Sequence, residues 1–274
     1  MNVTATIETI TPARAAEMLA SNTNNRPLRR AHVESIARDM AAGNYPLNGE
    51  PLIQDRDGTI LNGQHRLHAC VKANVPFKTL VVYGIERDAM VTMDSGAKRS
   101  LADQLRLSGH KNVKELASLI SLAIRWGSGR DRFRYITNSE ALLFMERNPE
   151  VKTAARFIHK TSKSPAKPNR AAIGAIALAG LHATNDELEV EQFVAMVCGG
   201  TADKDHPTYV LWKTMVGWAS QRNVHRDSWL HLAMLIKCWN ATVMGQPVRL
   251  YRRRADESFP TMLDEDGNAV ELPR

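Results

Sequence analysis

Apolar and polar positions keep two different rhythms along the chain, and the change falls near residue 110. Ahead of it, short β-branched runs are mixed with helical stretches. Residues 4–10 alternate β-branched side chains and predict a strand. Thr11 followed by Pro12 predicts a helix start, with Thr11 as N-cap and Pro12 at the first helical position. Residues 21–27 are turn-rich. Val33, Ile36, Ala37 and Met40 follow helical spacing within 29–42, and Gly43 ends that helix. A strand over 51–54, a tight turn at Asp55-Arg56-Asp57-Gly58 and a returning strand over 59–61 predict a hairpin. Asn62-Gly63 breaks it, and a helix follows over 64–73 with Asn74 as its left-handed cap. Residues 77–83 predict another strand and 86–91 a short helix. A loop over 94–100 then ends at Ser100, which caps a helix running to about residue 108.

From Lys111 onward the spacing is helical almost throughout: 113–126, 139–147, 149–159, 170–184, 190–198, 208–218 and 228–244. Ser164-Pro165-Ala166-Lys167-Pro168 predicts a flexible joint. After Gly245 come a short apolar run over 248–251, then Arg252-Arg253-Arg254, then a polar, acidic tail. The expected class is therefore α+β: an α/β domain over 1–110 followed by an all-α domain over 111–274.

Composition narrows this little, at 43% hydrophobic and 24% charged. No run of about 18 apolar residues exists, so no membrane span is expected. The first ten residues lack a basic region followed by an apolar run, so no signal peptide and a cytoplasmic location are expected. Cys70, Cys198 and Cys238 are odd in number, far apart and without a CxxC pair. They read as buried free thiols. Charge is more telling, because residues 111–170 carry 13 Lys+Arg against 5 Asp+Glu. A basic segment suits a polyanion, since neutralised phosphates release counterions. It equally describes a solvated helix surface.

The chemically informative stretch is Asp57-Gly58-Thr59-Ile60-Leu61-Asn62-Gly63-Gln64-His65-Arg66. It runs strand, glycine, helix start. A helix start offers unpaired N–H groups and partial positive charge to an anion. Gly63 lets a ligand approach closely, Arg66 can fork onto phosphate oxygens, and His65 can donate to the same group. Gly-x-x-Arg alone is a weak motif; the strand–turn–helix setting makes it more specific.

On these residues the chain resembles the ParB/sulfiredoxin superfamily. The likeness covers Asn24-Asn25-Arg26, the helix from Val33 to Met40, Glu50-Pro51-Leu52-Ile53, the hairpin, and Gly63-Gln64-His65-Arg66 with Ala69. ParB proteins carry Gly-Glu-Arg-Arg here and bind CTP through it. Sulfiredoxins carry Gly-Cys-His-Arg and use the cysteine as nucleophile. Gln64 stands at that place, and an amide cannot act as a thiolate, so sulfiredoxin activity is not expected. The chain is more similar to a branch of ParB-like proteins of bacteriophages, plasmids and bacteria, whose loop reads Asp/Asn-Gly-Gln-His-Arg-Leu. That branch also resembles this chain at Asn48-Gly49-Glu50-Pro51, Asp94-Ser95-Gly96-Ala97-Lys98-Arg99-Ser100, Lys237-Cys238-Trp239-Asn240-Ala241 and Phe259-Pro260.

The resemblance implies an N-terminal ParB/sulfiredoxin-like domain that binds CTP or ATP with Mg²⁺ in a DNA-associated protein of mobile-element type. Arg26, Gly63, Gln64, His65 and Arg66 would hold the nucleotide. Asp94 would hold the metal ion, with a charged loop cap as its other reading. NTP hydrolysis and a homodimer remain open. An alternative is a ParB-fold phosphotransferase acting on a small hydroxyl or a modified DNA base, with Glu50 as base; a merely structural glutamate is the competing reading. Nuclease activity is a further alternative, weakened by the missing acidic metal ligands. His65 and His68 share a helix with Cys70, but no further ligand completes a zinc set. Arg125, Arg130, Arg132 and Arg134 interleave with Trp126, Phe133 and Tyr135, a mixture that suits nucleic acid and also ordinary helix junctions. No helix–turn–helix signature marks 111–170, which departs from partitioning ParB proteins. Trp212, Trp218, Trp229 and Trp239 read as core.

Overall fold

The computed structural model describes residues 3–22, 27–93, 100–129, 132–221, 227–254 and 256–272. It is a mixed α+β structure that divides into two compact units. Unit 1 comprises Met1–Lys98 with Phe133–Glu140, and unit 2 comprises Arg99–Arg132 with Ala141–Arg274.

Unit 1 holds a four-stranded mixed sheet. In chain order its elements are β1 (Thr4–Ile10), α1 (Pro12–Ala20), α2 (Arg30–Ala41), β2 (Leu52–Asp55), β3 (Ile60–Asn62), α3 (Gln64–Ala73) and β4 (Phe77–Ile85), followed by a 3-10 turn at Arg87–Thr92. The strand order is β1-β4-β2-β3. β1 and β3 pair antiparallel with β4 and β2, while β2 and β4 run parallel. A parallel neighbour needs a crossover, and α3 supplies it between β3 and β4. The Thr11 side chain accepts from the Arg14 amide, as its N-cap position predicts. The Asp55 carboxylate accepts from the amides of Asp57 and Thr59 and closes the hairpin, with Gly58 at φ 81°. Asn74 ends α3 in the left-handed conformation at φ 53°.

Helix α3 packs against both α1 and α2, and the three helices bury one apolar face with the sheet. Val33, Ile36 and Met40 of α2 meet Leu67 of α3, Ile10 and Leu52 of the strands, and Phe77 and Val81 of β4. Cys70 is fully buried in the same cluster, and burial pushes its thiol pKa up.

Unit 2 is helical among its described residues: α4 (Leu101–Leu107), α5 (Val113–Gly127), α6 (Asn138–Arg147, whose first three residues belong to unit 1), α7 (Val151–Ile158), a 3-10 turn at His159–Lys163, α8 (Arg170–Thr184), α9 (Glu187–Gly199), α10 (Pro207–Ser220) and α11 (Ser228–Val243). α8 is its hub. Every residue from Ala172 to Leu181 is buried, because α5, α7, α9 and α11 surround it. A helix that is apolar all round must be enclosed. Gly180 makes that enclosure possible, since a Cβ there would stand 3.0 Å from the Trp239 ring.

The expected flexible joint is corrected here. Ser164, Ala166 and Pro168 are buried, and the Ser164 hydroxyl donates to the Cys198 carbonyl at 2.6 Å. Its Pro/Ser composition signals a break in helix but says nothing of what anchors the break. Trp229 and Trp239 are core, whereas Trp212 and Trp218 are only half-buried. All three cysteines are buried and free. Among the described residues, no helix is long and apolar enough to cross a membrane.

Candidate functional site

The motif residues meet at the first turn of α3. Gly63 precedes it at φ 103°, in a region that side chains disfavour. A Cβ at Gly63 would lie 2.1 Å from Leu52 Cδ2 and 3.1 Å from Arg66 Nη2. Two demands therefore select glycine, the backbone angle and the approach of β2.

Arg66 is 8% exposed. Its Nη1 donates to the Glu50 carbonyl at 2.5 Å and its Nη2 to the Pro51 carbonyl at 2.6 Å. The Thr79 hydroxyl donates to the same Glu50 carbonyl at 3.1 Å. The guanidinium fork thus clamps the chain entering β2 against α3, a structural duty that the motif alone does not reveal. Tyr45 is also close. Burial raises its phenol pKa, opposed by the Arg66 charge.

His65 is 6% exposed, and its Nε2 accepts from the Arg29 amide at 3.1 Å. An accepting Nε2 puts the proton of a neutral imidazole on Nδ1. The His32 ring lies 5.2 Å from the His65 ring, centroid to centroid, and Tyr135 lies edge-on to His32 at 6.3 Å. Gln64 is 5% exposed, and its Oε1 accepts from Asn22 Nδ2 at 3.4 Å. Asn22, just after α1, and Arg29, just before α2, therefore both reach the α3 turn. Glu50 is exposed and takes part through its main chain, the carbonyl accepting from Arg66 and Thr79 and the amide donating to Asn48 Oδ1. Arg26, Asp94 and Arg130 lie outside the described residues.

Of the four expected arginines, two pair with carboxylates, each within its own unit. Arg132 belongs to unit 2, where it pairs with Asp227 at 2.6 Å and lies over the Trp229 ring. Arg134 belongs to unit 1, where it pairs with Glu140 at 2.5 Å. Arg125 is half-buried in the last turn of α5. The interleaved spacing places these residues together, but Asp227, distant in sequence, and Glu140, in the first turn of the following helix, neutralise two of them.

One network escaped the sequence reading. Arg38 Nε pairs with Glu140 at 2.9 Å and its Nη2 donates to the Tyr135 carbonyl at 2.8 Å. The Thr137 hydroxyl donates to Asp39 at 2.9 Å. The Thr137 amide donates to Glu140 Oε2, and the Glu140 amide donates to Thr137 Oγ1. Burial holds the Asp39 carboxyl up to about 6, against the Thr137 hydrogen bond. Burial also pushes Glu140 up, but Arg38 and the Thr137 amide outweigh it and hold that carboxyl below its usual range. The pattern Thr137-x-x-Glu140 is a capping-box signature and was the available signal. Its partners on α2 are about 100 residues away, which no local pattern reports.

Among the described residues, no group of three or more His, Cys, Asp or Glu is placed to hold a metal ion. Compared with known protein families, with curated proteins and with solved structures, the chain matches none.

Proposed function

We propose that unit 1 is a ParB/sulfiredoxin-like nucleotide-binding module in a DNA-associated protein, taking CTP or ATP at the first turn of α3. The observation that carries the reading is the junction from β3 through Gly63 to Gln64-His65-Arg66. A strand ends, a glycine turns the chain at positive φ, and a helix starts with a guanidinium and an imidazole on its first turn. Such a junction suits a phosphate chain, because helix-start amides and a fixed guanidinium both favour negative charge.

The roles divide between structure and ligand. Arg66 holds β2 to α3 and adds positive charge beside the turn. His65 fixes the α1–α2 loop through the Arg29 amide. Arg26, from the same loop, is the second cation that the resemblance assigns to the phosphates. Mg²⁺ would arrive bound to the triphosphate, and its protein ligand under this reading is Asp94. Nucleotide binding would alter DNA engagement.

The test is titration of CTP and ATP with Mg²⁺, with and without duplex DNA, on wild type, Arg26→Ala and Arg66→Lys. Wild type is expected to bind at least one triphosphate, and Arg26→Ala to lose that binding with unit 1 still folded. Binding of neither nucleotide, with DNA or without, sinks the reading.

A second reading is phosphotransfer. The exposed Glu50 is tethered to the α3 turn through its own carbonyl, and under this reading its carboxylate would serve as the base. Transfer of labelled γ-phosphate from ATP to an acceptor, lost in Glu50→Gln, supports it. Release of free phosphate alone supports a nucleotide switch.

A further inference from the structure

The excess positive charge of residues 111–170 needs another outlet once Arg132 and Arg134 are neutralised by carboxylates. Arg156 faces Glu187 at 3.6 Å and Arg170 pairs with Glu115 at 3.2 Å. Lys163 and Lys167 differ. Both are exposed, and neither has a carboxylate partner among the described residues. Both line one open cavity of about 800 Å³ within unit 2, together with Arg170, Ser118 and Ser162.

The local fold explains why these side chains converge. Between the 3-10 turn and α8, burial alternates: Ser164, Ala166 and Pro168 point inward, while Lys163, Pro165 and Lys167 point outward. Ser164 anchors the inward row on α9 through the Cys198 carbonyl. Asn169 then caps α8 by accepting from the Ala172 amide, and its own amide donates to His231 Nδ1. Burial lowers the His231 pKa, against the nearby Asp227 charge. The start of α8, at Arg170, contributes further partial positive charge to the wall.

We propose that this cavity is where the protein grips the phosphodiester backbone of nucleic acid, with duplex DNA as the ligand. The inference deepens the DNA-associated half of the function proposed above and does not depend on its nucleotide half. Two ammonium groups without carboxylate partners among the described residues, with the Ser162 hydroxyl beside them, suit phosphate oxygens. They provide no base-edge code, so the site positions the duplex and reads no sequence. Lys163 and Lys167 stand four residues apart in the chain, and the alternation of burial turns both outward.

The experiment is a salt titration of binding to a fluorescein-labelled duplex of mixed sequence. It compares wild type, Lys163→Gln/Lys167→Asn, and a control pair, Lys152→Gln/Lys213→Gln, on exposed positions away from the cavity. Asparagine is chosen at 167 because Lys167 sits at φ 43°, which asparagine tolerates. The expected result is a salt slope lower by about 1.8, near 0.9 per lost phosphate contact, and affinity down roughly 10- to 100-fold. The control pair should stay close to wild type. Equal weakening by both pairs, or no weakening by the cavity pair, overturns the site while leaving DNA binding standing. Failure of wild type to bind duplex overturns the site and the DNA half together, and the nucleotide titration then judges the other half separately. Binding of tripolyphosphate without duplex binding, lost in Lys163→Gln/Lys167→Asn, would assign the cavity to a small anion and equally overturn the proposal.

Discussion

Replacing Arg66 by alanine separates two duties that its motif merges. The guanidinium donates to the Glu50 and Pro51 carbonyls at 2.5 and 2.6 Å and is 8% exposed. Each hydrogen bond from a charged donor contributes about 1.5–3 kcal/mol, so loss of both costs about 3–6 kcal/mol. Glu50 keeps the Thr79 hydroxyl as a donor, which places the expectation toward the lower half of that range. Arg66→Lys retains the charge but cannot reproduce the two-pronged geometry, and about half the loss is expected. Tryptophan fluorescence is the wrong probe, since all five tryptophans lie in unit 2. Hydrogen exchange at the amides of β2 and α3 reads unit 1 directly. With tenfold per 1.4 kcal/mol, those amides should exchange roughly 10²- to 10⁴-fold faster in Arg66→Ala, without nucleotide present. Unchanged protection would refute the clamp. Arg66→Lys adds the discriminating measurement: a protein whose β2 and α3 stay largely protected but which no longer responds to triphosphate would assign both duties to one side chain.

Gly63→Ala should be among the most disruptive single-methyl changes in unit 1, because its Cβ meets Leu52 at 2.1 Å and its φ is 103°. Overpacking and backbone strain together predict a loss of about 2–5 kcal/mol, read by the same exchange measurement, and a near-neutral result would count against the close approach of β2. Asp39 carries a pH signature. Its folded pKa of about 6 lies above the ordinary 3.8, so the folded state holds this proton more tightly. That stabilisation is complete below the ordinary value and is lost as pH rises through 6, on the order of 2–3 kcal/mol in all. In Asp39→Asn the amide oxygen still accepts from Thr137, and unit 1 should lose this pH dependence and gain stability near neutrality; an unchanged pH profile would refute the assignment. Arg132→Ala should alter duplex affinity little, because Asp227 already neutralises that charge, and a loss matching that of the lysine pair would return the arginine to the interface.

Local chemistry made much of the fold legible from the chain. The span of β1, the Thr11 cap, the Asp55–Gly58 turn, the extent of α3 with its Asn74 cap, and the span of α8 all follow from short-range rules of spacing, capping and backbone angle. The strand–glycine–helix junction was legible for the same reason, since its signal lies in consecutive residues. Partnership was not. Arg66 reads as a ligand-facing side chain until Glu50 and Pro51 are seen to cover it. Arg134 reads as surface charge until Glu140 is seen to hold it, and Glu140 in turn serves Arg38, 102 residues away. The segment 164–168 reads as loose until its inward row is seen against α9. Spacing along a chain determines which face of an element is apolar and where that element stops. Which charge is cancelled, and which is left facing solvent, depends on long-range approach. That is decided by packing, because a buried ionic group must find its counterpart wherever the closed core brings one within reach.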